Sequence, residues 1–194
     1  MTYYAKWSSV CTVTLVYGDG IDNVNLSYSS GTEFTMGAGL SPDGTGLYIW
    51  YVDEAHTTPF ASATVTGNMT IYGVKVADVT YGSYKFVDNN GALLSNNKGK
   101  GSSTASMTIT MLGNYSVTYN YDVSTESGWD KFSVKETISG TSTTTVSGVS
   151  GENNGSDTAT LAAGDSINFA YSKDSSGNSG DDTVTLTLVI APIA

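Results

Sequence analysis

Residues 115–123 read Tyr-Ser-Val-Thr-Tyr-Asn-Tyr-Asp-Val, and this stretch decides the fold class. Tyr or Val occupies every second position, and Ser, Thr, Asn and Asp fill the positions between them. A period of two residues is typical of a β-strand that buries one face and exposes the other. The same alternation recurs at 107–111 and 183–188, where β-branched residues are frequent, so the sequence predicts an all-β protein.

Clusters of Gly, Asn and Asp separate the alternating stretches and indicate turns. The strands predicted before residue 77 are Val10–Tyr17, Val24–Tyr28, Leu47–Val52 and Asn68–Val76. Convincing helical periodicity is absent, although the sequence leaves room for a short helix between Thr32 and Leu40. The strands predicted after it are Tyr84–Val87, Ser106–Leu112, Tyr115–Val123, Lys131–Lys135, Thr141–Val146, Asp157–Leu161, Ser166–Tyr171 and Asp182–Ile190. This spacing of short strands predicts a β-sandwich or jelly roll.

A short motif occurs twice and predicts how the chain is divided. Met1-Thr2-Tyr3-Tyr4-Ala5-Lys6 is echoed by Met69-Thr70-Ile71-Tyr72-Gly73-Val74-Lys75. Repetition of this kind indicates a modular array. We therefore expect residues 1–9 to be the tail of a preceding repeat, residues 10–76 to be a complete repeat, and residues 77–194 to be a second domain.

The end of the complete repeat resembles a known family. Residues 50–60, Trp-Tyr-Val-Asp-Glu-Ala-His-Thr-Thr-Pro-Phe, and the strand after them resemble the Listeria–Bacteroides repeat, the internalin B-repeat family. Residues 2–7, Thr-Tyr-Tyr-Ala-Lys-Trp, fit the last strand of that repeat, whereas Gly73-Val74-Lys75 departs from its usual Ala-x-Trp. The resemblance implies a β-grasp-like unit in a multi-repeat bacterial protein that is secreted or displayed on the cell surface.

The second domain contains a second resemblance, which implies a calcium site. Residues 129–134, Trp-Asp-Lys-Phe-Ser-Val, and residues 161–174 are similar to CUB-like jelly-roll modules, although the CUB cysteines are missing. Calcium-binding modules of that type use a Glu and two Asp, so the resemblance implies that Glu126, Asp130 and Asp174 bind calcium through carboxylate oxygens. The alternative is that these acids are solvated turn residues. No other cofactor is expected.

Composition limits the partners. The chain has 18 acidic and 8 basic residues, a net charge of −10 and no arginine. Nucleic acids and anionic membrane surfaces require clustered Lys and Arg, so neither is an expected partner. No apolar run reaches the roughly 20 residues of a membrane helix. Cys11 is the single cysteine and is expected to be a buried free thiol.

Trp129 is the candidate ligand-binding residue, since sugar-binding surfaces combine exposed aromatic rings with polar neighbours. It follows Ser127 and Gly128 at a predicted loop edge, and Tyr48 and Tyr51 are further aromatic candidates. The alternative is that these rings fill thin β-sheet cores, where aromatic side chains contribute most to burial.

Catalysis and covalent chemistry have little support in the sequence. His56 is the single histidine, and no nucleophile is placed beside it, so we expect no enzyme. Lys85, Lys131 and Lys135 lie in predicted strands, where a lysine could form an internal isopeptide bond with Asn or Asp. The alternative, which we favour, is that these lysines face outward and protect strand edges.

The sequence is compatible with three functions. The first is a structural or adhesion module that binds a glycan or protein surface next to neighbouring repeats. The second is a carbohydrate- or calcium-binding accessory module. The third is a phage virion or filament subunit, in which the strand Asp182–Ile190 would pair with a neighbouring chain by strand addition.

Overall fold

The computed structural model describes residues 9–89, 91–176 and 179–193. These residues form strands, turns and bends without a helix, so the predicted all-β class is confirmed. The described part accordingly has no helix that could span a membrane. The strands are β1 (Val10–Val16), β2 (Val24–Ser29), β3 (Thr32–Thr35), β4 (Gly39–Leu40), β5 (Gly46–Tyr51), β6 (Ser62–Val65), β7 (Met69–Tyr81), β8 (Phe86–Asn89), β9 (Ala92–Ser95), β10 (Thr104–Met111), β11 (Tyr115–Ser124), β12 (Lys131–Ile138), β13 (Thr141–Val149), β14 (Glu152–Leu161), β15 (Ser166–Ser172) and β16 (Thr183–Pro192).

The chain divides into two compact units. Unit 1 comprises Met1–Gly37 and Tyr48–Val74, and unit 2 comprises Ala38–Leu47 and Lys75–Ala194. The division after residue 74 lies close to the boundary expected after residue 76. The segment 38–47, which the sequence analysis assigns to the first domain, groups with unit 2. The expected repeat tail at residues 1–9 lies outside the described residues except for Ser9.

Unit 1 is built on a mixed sheet. Strand β1 pairs with β2 in antiparallel fashion and with the first part of β7 in parallel, from Val13 opposite Met69 to Val16 opposite Tyr72. Strand β7 also pairs with β5, and β3 pairs with β6 as a separate antiparallel ribbon. The first and last strands of the unit are therefore parallel neighbours in this sheet.

The short helix that the sequence allows between Thr32 and Leu40 does not form, because this segment contains strands β3 and β4. Phe34 points into the core while Glu33 and Thr35 on either side are exposed, which is the burial pattern of a strand. Strand β6 supplies the hydrogen-bonding partner, with Phe34 opposite Ala63.

An aromatic cluster forms much of the core of unit 1, and it limits the residue that can occupy position 73. The Tyr17 ring meets the rings of Tyr48 and Trp50 edge-on, with 5.0 Å between ring centroids in both pairs. A Cβ atom at Gly73 would lie 3.0 Å from the Tyr48 ring and 3.1 Å from the Trp50 ring. Such contacts are too tight for an alanine side chain unless the rings move, so glycine fits this position.

Unit 2 is a β-sandwich, as the strand spacing predicts. One sheet has the order β13-β12-β15-β10 and continues to the second part of β7, and the other has the order β14-β11-β16-β9-β8. The inner faces meet through aromatic contacts: Tyr119 lies edge-on to Phe169 at 5.3 Å, and Tyr121 lies 5.2 Å from Phe132. Strand β16 pairs with β11 along its whole length and with β9 at Thr185 and Leu186, and strand addition at Asp182–Ile190 stays a prediction.

Candidate functional site

Three charged residues of unit 2 are buried at the ends of strands. Asp130 directly precedes β12, Lys173 directly follows β15, and Asp182 directly precedes β16. In a β-strand, side chains two positions apart face the same side of the sheet. The residues two positions from Asp130, Lys173 and Asp182 are buried in the core; they are Phe132, Tyr171 and Val184. Alternation of the backbone therefore places two carboxylates and one ammonium group inside the sandwich.

The Lys173 side chain lies between the two acids. It is 1% exposed, and the side chains of Asp130 and Asp182 are 0% and 3% exposed. Lys173 Nζ donates a hydrogen bond to Asp182 Oδ1 and lies 3.6 Å from Asp130 Oδ2. Because unpaired buried charges are costly, this pairing is what allows a lysine to remain inside the fold.

Further donors surround the two carboxylates. The Tyr171 hydroxyl lies 3.1 Å from Asp130 Oδ2 and 3.1 Å from Asp182 Oδ1. The backbone amide of Gly99 donates to Asp182 Oδ2 at 2.6 Å, and that of Asp174 donates to Asp130 Oδ1 at 3.0 Å. Because the hydroxyl has only one proton, the two carboxylates compete for the same hydrogen bond.

The surroundings shift two acid–base equilibria of this cluster. Burial acts to raise the pKa of the Asp182 carboxyl, but hydrogen bonds from Lys173, the Gly99 amide and Tyr171 hold this pKa below its ordinary value. Burial, together with the nearby charges of Asp130 and Asp182, raises the pKa of the Tyr171 hydroxyl. The hydroxyl therefore stays protonated and acts as a donor.

The residues of the expected calcium site are only partly brought together. The Asp174 backbone amide contacts the Asp130 carboxylate, but the Asp174 carboxylate accepts from the Ser176 amide. Glu126 Oε2 is buried without a hydrogen-bond partner among the described residues. Within the described ranges, no three His, Cys, Asp or Glu residues are grouped so that they could hold a metal ion. Calcium binding by Glu126, Asp130 and Asp174 stays a prediction.

Trp129 lies in the turn that connects β11 to β12, and it is 65% exposed. The turn is fixed to the segment between β13 and β14. The Gly128 amide donates to Ser150 Oγ at 3.0 Å, and Thr125 and Gly151 exchange two hydrogen bonds at 3.2 Å. A large indole ring is therefore presented to solvent from an anchored turn, directly before the buried Asp130.

The other aromatic candidates and the single histidine lie in unit 1. Tyr48 and Trp50 belong to the core, as the alternative interpretation of the aromatic residues predicts. His56 meets the Tyr51 ring edge-on at 5.3 Å. It also lines an open pocket of about 190 Å³, whose other lining residues are Val16, Gly18, Glu54, Tyr72 and Gly73.

The three lysines considered for an isopeptide bond in the sequence analysis do not include Lys173, the lysine of the buried cluster. Lys85 and Lys135 are exposed, Lys131 is partly exposed, and Lys85 Nζ lies 5.2 Å from the centre of the Tyr81 ring. Sequence reasoning missed Lys173 because it stands one residue beyond the predicted strand Ser166–Tyr171 and its neighbour Asp174 reads as a turn residue. The sequence did contain an indication of its burial. Ile167, Phe169 and Tyr171 alternate on the core face, and the next residue in this alternation is Lys173.

Comparisons with known proteins give distant structural similarity and no family. The sequence matches no protein family, and no curated protein matches it. Among solved structures, the secreted serine protease VesC from Vibrio cholerae is 12% identical with a TM-score of 0.47, and the match covers 87% of this chain and 36% of that one. The chain thus spans about a third of the length of VesC.

Two carbohydrate-binding modules are also similar in structure. A variant of a family 29 carbohydrate-binding module is 10% identical with a TM-score of 0.33, and the match covers 59% of this chain and 79% of that one. CBM35 from Paenibacillus barcinonensis is 11% identical with a TM-score of 0.29, and the match covers 57% of this chain and 91% of that one.

Proposed function

We propose that this protein is a non-catalytic adhesion module that binds carbohydrate on the surface around Trp129. The module would belong to a secreted or cell-surface multi-repeat bacterial protein, in which the repeat-like unit 1 acts as part of a stalk. The observation that carries the proposal is the exposed indole ring on an anchored turn.

A ring in this setting is suited to stacking against a sugar. Most large apolar side chains of unit 2 are buried, so an indole that is 65% exposed leaves apolar area in water that a ligand could cover. Because hydrogen bonds to Ser150 and Gly151 anchor the turn, binding would cost little additional ordering of the backbone.

Polar groups beside the ring would supply directional contacts. The exposed side chain of Ser127 lies in the same turn, and the hydroxyl of Ser124 donates to the Glu152 carboxylate at 2.8 Å near the base of the turn. With a net charge of −10, the protein repels anionic polymers. The proposed ligand class is therefore a neutral polysaccharide.

The test is depletion of the protein from solution by a panel of insoluble neutral polysaccharides, followed by titration with soluble oligosaccharides of the type retained. Trp129→Ala is expected to weaken binding about tenfold or more, since loss of a stacked aromatic contact costs at least about 1.4 kcal/mol. Leu112→Ala is the matched control, because Leu112 is also exposed in unit 2 but lies in another turn. Retention by no polysaccharide, or equal affinity of the Trp129 variant and the control, would refute the proposal.

A further inference from the structure

We propose that Lys173 and Asp182 are joined by an amide bond between Nζ and Cγ, formed within the folded chain with Asp130 as the proton acceptor. This inference does not depend on carbohydrate binding. It assigns a covalent modification to the buried cluster of Asp130, Tyr171, Lys173 and Asp182.

The first support is the geometry of the reacting groups. Lys173 Nζ is in direct contact with the Asp182 carboxylate, and Asp130 Oδ2 lies 3.6 Å from the same nitrogen. Holding a nucleophile and an electrophile in contact removes the entropy cost of an encounter between them, which is a large part of the barrier to such a reaction. A buried lysine is also the setting in which its amine becomes a nucleophile.

The second support is the exclusion of water. All three charged side chains are at most 3% exposed. Condensation of an amine with a carboxylic acid is opposed by bulk water, which is both its product and the nucleophile of the reverse reaction. A site that excludes water suppresses the reverse hydrolysis. It also raises the free energy of the charged ion pair relative to that of the neutral amide. The amide is neutral, so its formation removes one buried ammonium and one buried carboxylate.

The reaction balances with the groups present. The ammonium of Lys173 transfers a proton to Asp130, and the lone pair of the neutral amine attacks Cγ of Asp182. The new bond is Nζ–Cγ, and the bond that breaks is Cγ–Oδ1. Oδ1 leaves as water with two protons that began on Nζ, one of them returned by Asp130, and the amide nitrogen keeps the third. Nothing is oxidised or reduced.

Two donors fit the charge that develops during this step. The Gly99 amide donates to Asp182 Oδ2 at 2.6 Å, so it would stabilise negative charge on the oxygen that remains as the amide carbonyl. The Tyr171 hydroxyl lies 3.1 Å from Oδ1, the oxygen that leaves, and 3.1 Å from Asp130 Oδ2. This position allows the hydroxyl to pass a proton between the two acids.

The test is the intact mass of the purified full chain under denaturing conditions. The expected mass is that of the sequence minus one water molecule. Digestion by an endopeptidase that cleaves at aspartate would cut between residues 173 and 182, and the peptides that carry Lys173 and Asp182 are expected to stay joined. A wild-type mass equal to that of the unmodified sequence would refute the cross-link and leave a buried ion pair.

Variants assign the bond to its atoms. Lys173→Arg keeps the positive charge but cannot form the amide, so it is expected to retain the full mass. Asp182→Asn is expected to release ammonia instead of water and to reach the same final mass as wild type, because both reactions produce the same amide. The matched control Lys135→Arg replaces an exposed lysine and is expected to lose water as wild type does.

The role of Asp130 has its own readout. Asp130→Asn is expected to fold, as followed by circular dichroism, but to retain the full mass because the proton acceptor is gone. Loss of water in this variant would refute the role of Asp130, and loss of water in Lys173→Arg would refute the assigned lysine. If the Lys173 variant does not fold, the wild-type mass and the joined peptides still decide the question.

Discussion

At the residue scale, Gly155 shows how a single position depends on its cross-strand neighbour. Gly155 lies on the edge strand β14 directly opposite Tyr121 of β11. A Cβ atom at this position would come within 2.5 Å of Tyr121 Cζ. The Tyr121 ring covers the glycine and packs against Phe132 of the other sheet, so it replaces the side chain that the edge strand lacks.

Gly155→Ala is therefore expected to lower the free energy of unfolding by about 1–3 kcal/mol, because the added methyl group displaces the Tyr121 ring from its contact with Phe132. The measurement is urea denaturation followed by circular dichroism. Gly67→Ala is the control, since a Cβ atom at Gly67 meets no atom within 4 Å, and its effect is expected to stay within about 0.5 kcal/mol. Equal midpoints for the two variants would contradict this account.

At the scale of the element, the alternation of side chains predicted most strands closely. The predicted strand Tyr115–Val123 corresponds to the observed strand Tyr115–Ser124, and the predicted strand Val10–Tyr17 corresponds to the observed strand Val10–Val16. The short strands β3, β4, β6 and β9 were missed, since two to four residues contain too few periods for a pattern. The buried cluster was missed for a related reason: its charged residues stand just outside the strands whose phase buries them.

The turn between β14 and β15 depends on one carboxylate. Asp165 Oδ1 accepts from the Ser139 amide at 2.8 Å, and Oδ2 accepts from the Ala162 amide at 2.9 Å. These two hydrogen bonds lower the pKa of the Asp165 carboxyl in the folded state. A lowered folded-state pKa means that the stabilisation is present above the unfolded pKa of about 4 and is lost as the pH falls through the folded value.

Asp165→Asn is accordingly expected to lower the urea midpoint at neutral pH and to narrow its difference from wild type as the pH falls below about 4. Urea midpoints measured across this pH range test the expectation. Asp122→Asn, at an exposed position on β11, is the control and is expected to keep the wild-type pH profile. A difference between Asp165→Asn and wild type that does not change with pH would contradict the assignment.

At the scale of the whole molecule, the charge balance is unfavourable for the compact state. The sequence has 18 acidic and 8 basic residues, and the described ion pairs use two of the lysines, Lys75 with Asp78 and Lys173 in the buried cluster. Most carboxylates therefore have no basic partner among the described ion pairs, and the net charge of −10 leaves an excess of like charge. Self-repulsion of this kind destabilises a folded chain and is screened by salt.

Raising the ionic strength from about 0.01 M to about 0.15 M is expected to increase the thermal midpoint, because the Debye length falls from about 30 Å to about 8 Å. Sodium chloride should be compared with an osmotically matched uncharged solute other than a sugar, since such a solute neither screens charge nor resembles the proposed ligand. A midpoint that falls with salt would show that attractive surface pairs outweigh the repulsion.

The buried cluster also has a consequence for the lifetime of the native state. The contact between Asp130 and Lys173 connects the ends of β12 and β15 in one sheet. The contact between Lys173 and Asp182 connects that sheet to β16 of the other sheet. Such contacts need both sheets to be in place, so we expect them to be absent from an early transition state. Interactions of this kind slow the escape from the folded state more than they speed its formation. A module held in this way would resist pulling by opening slowly, whatever its equilibrium stability.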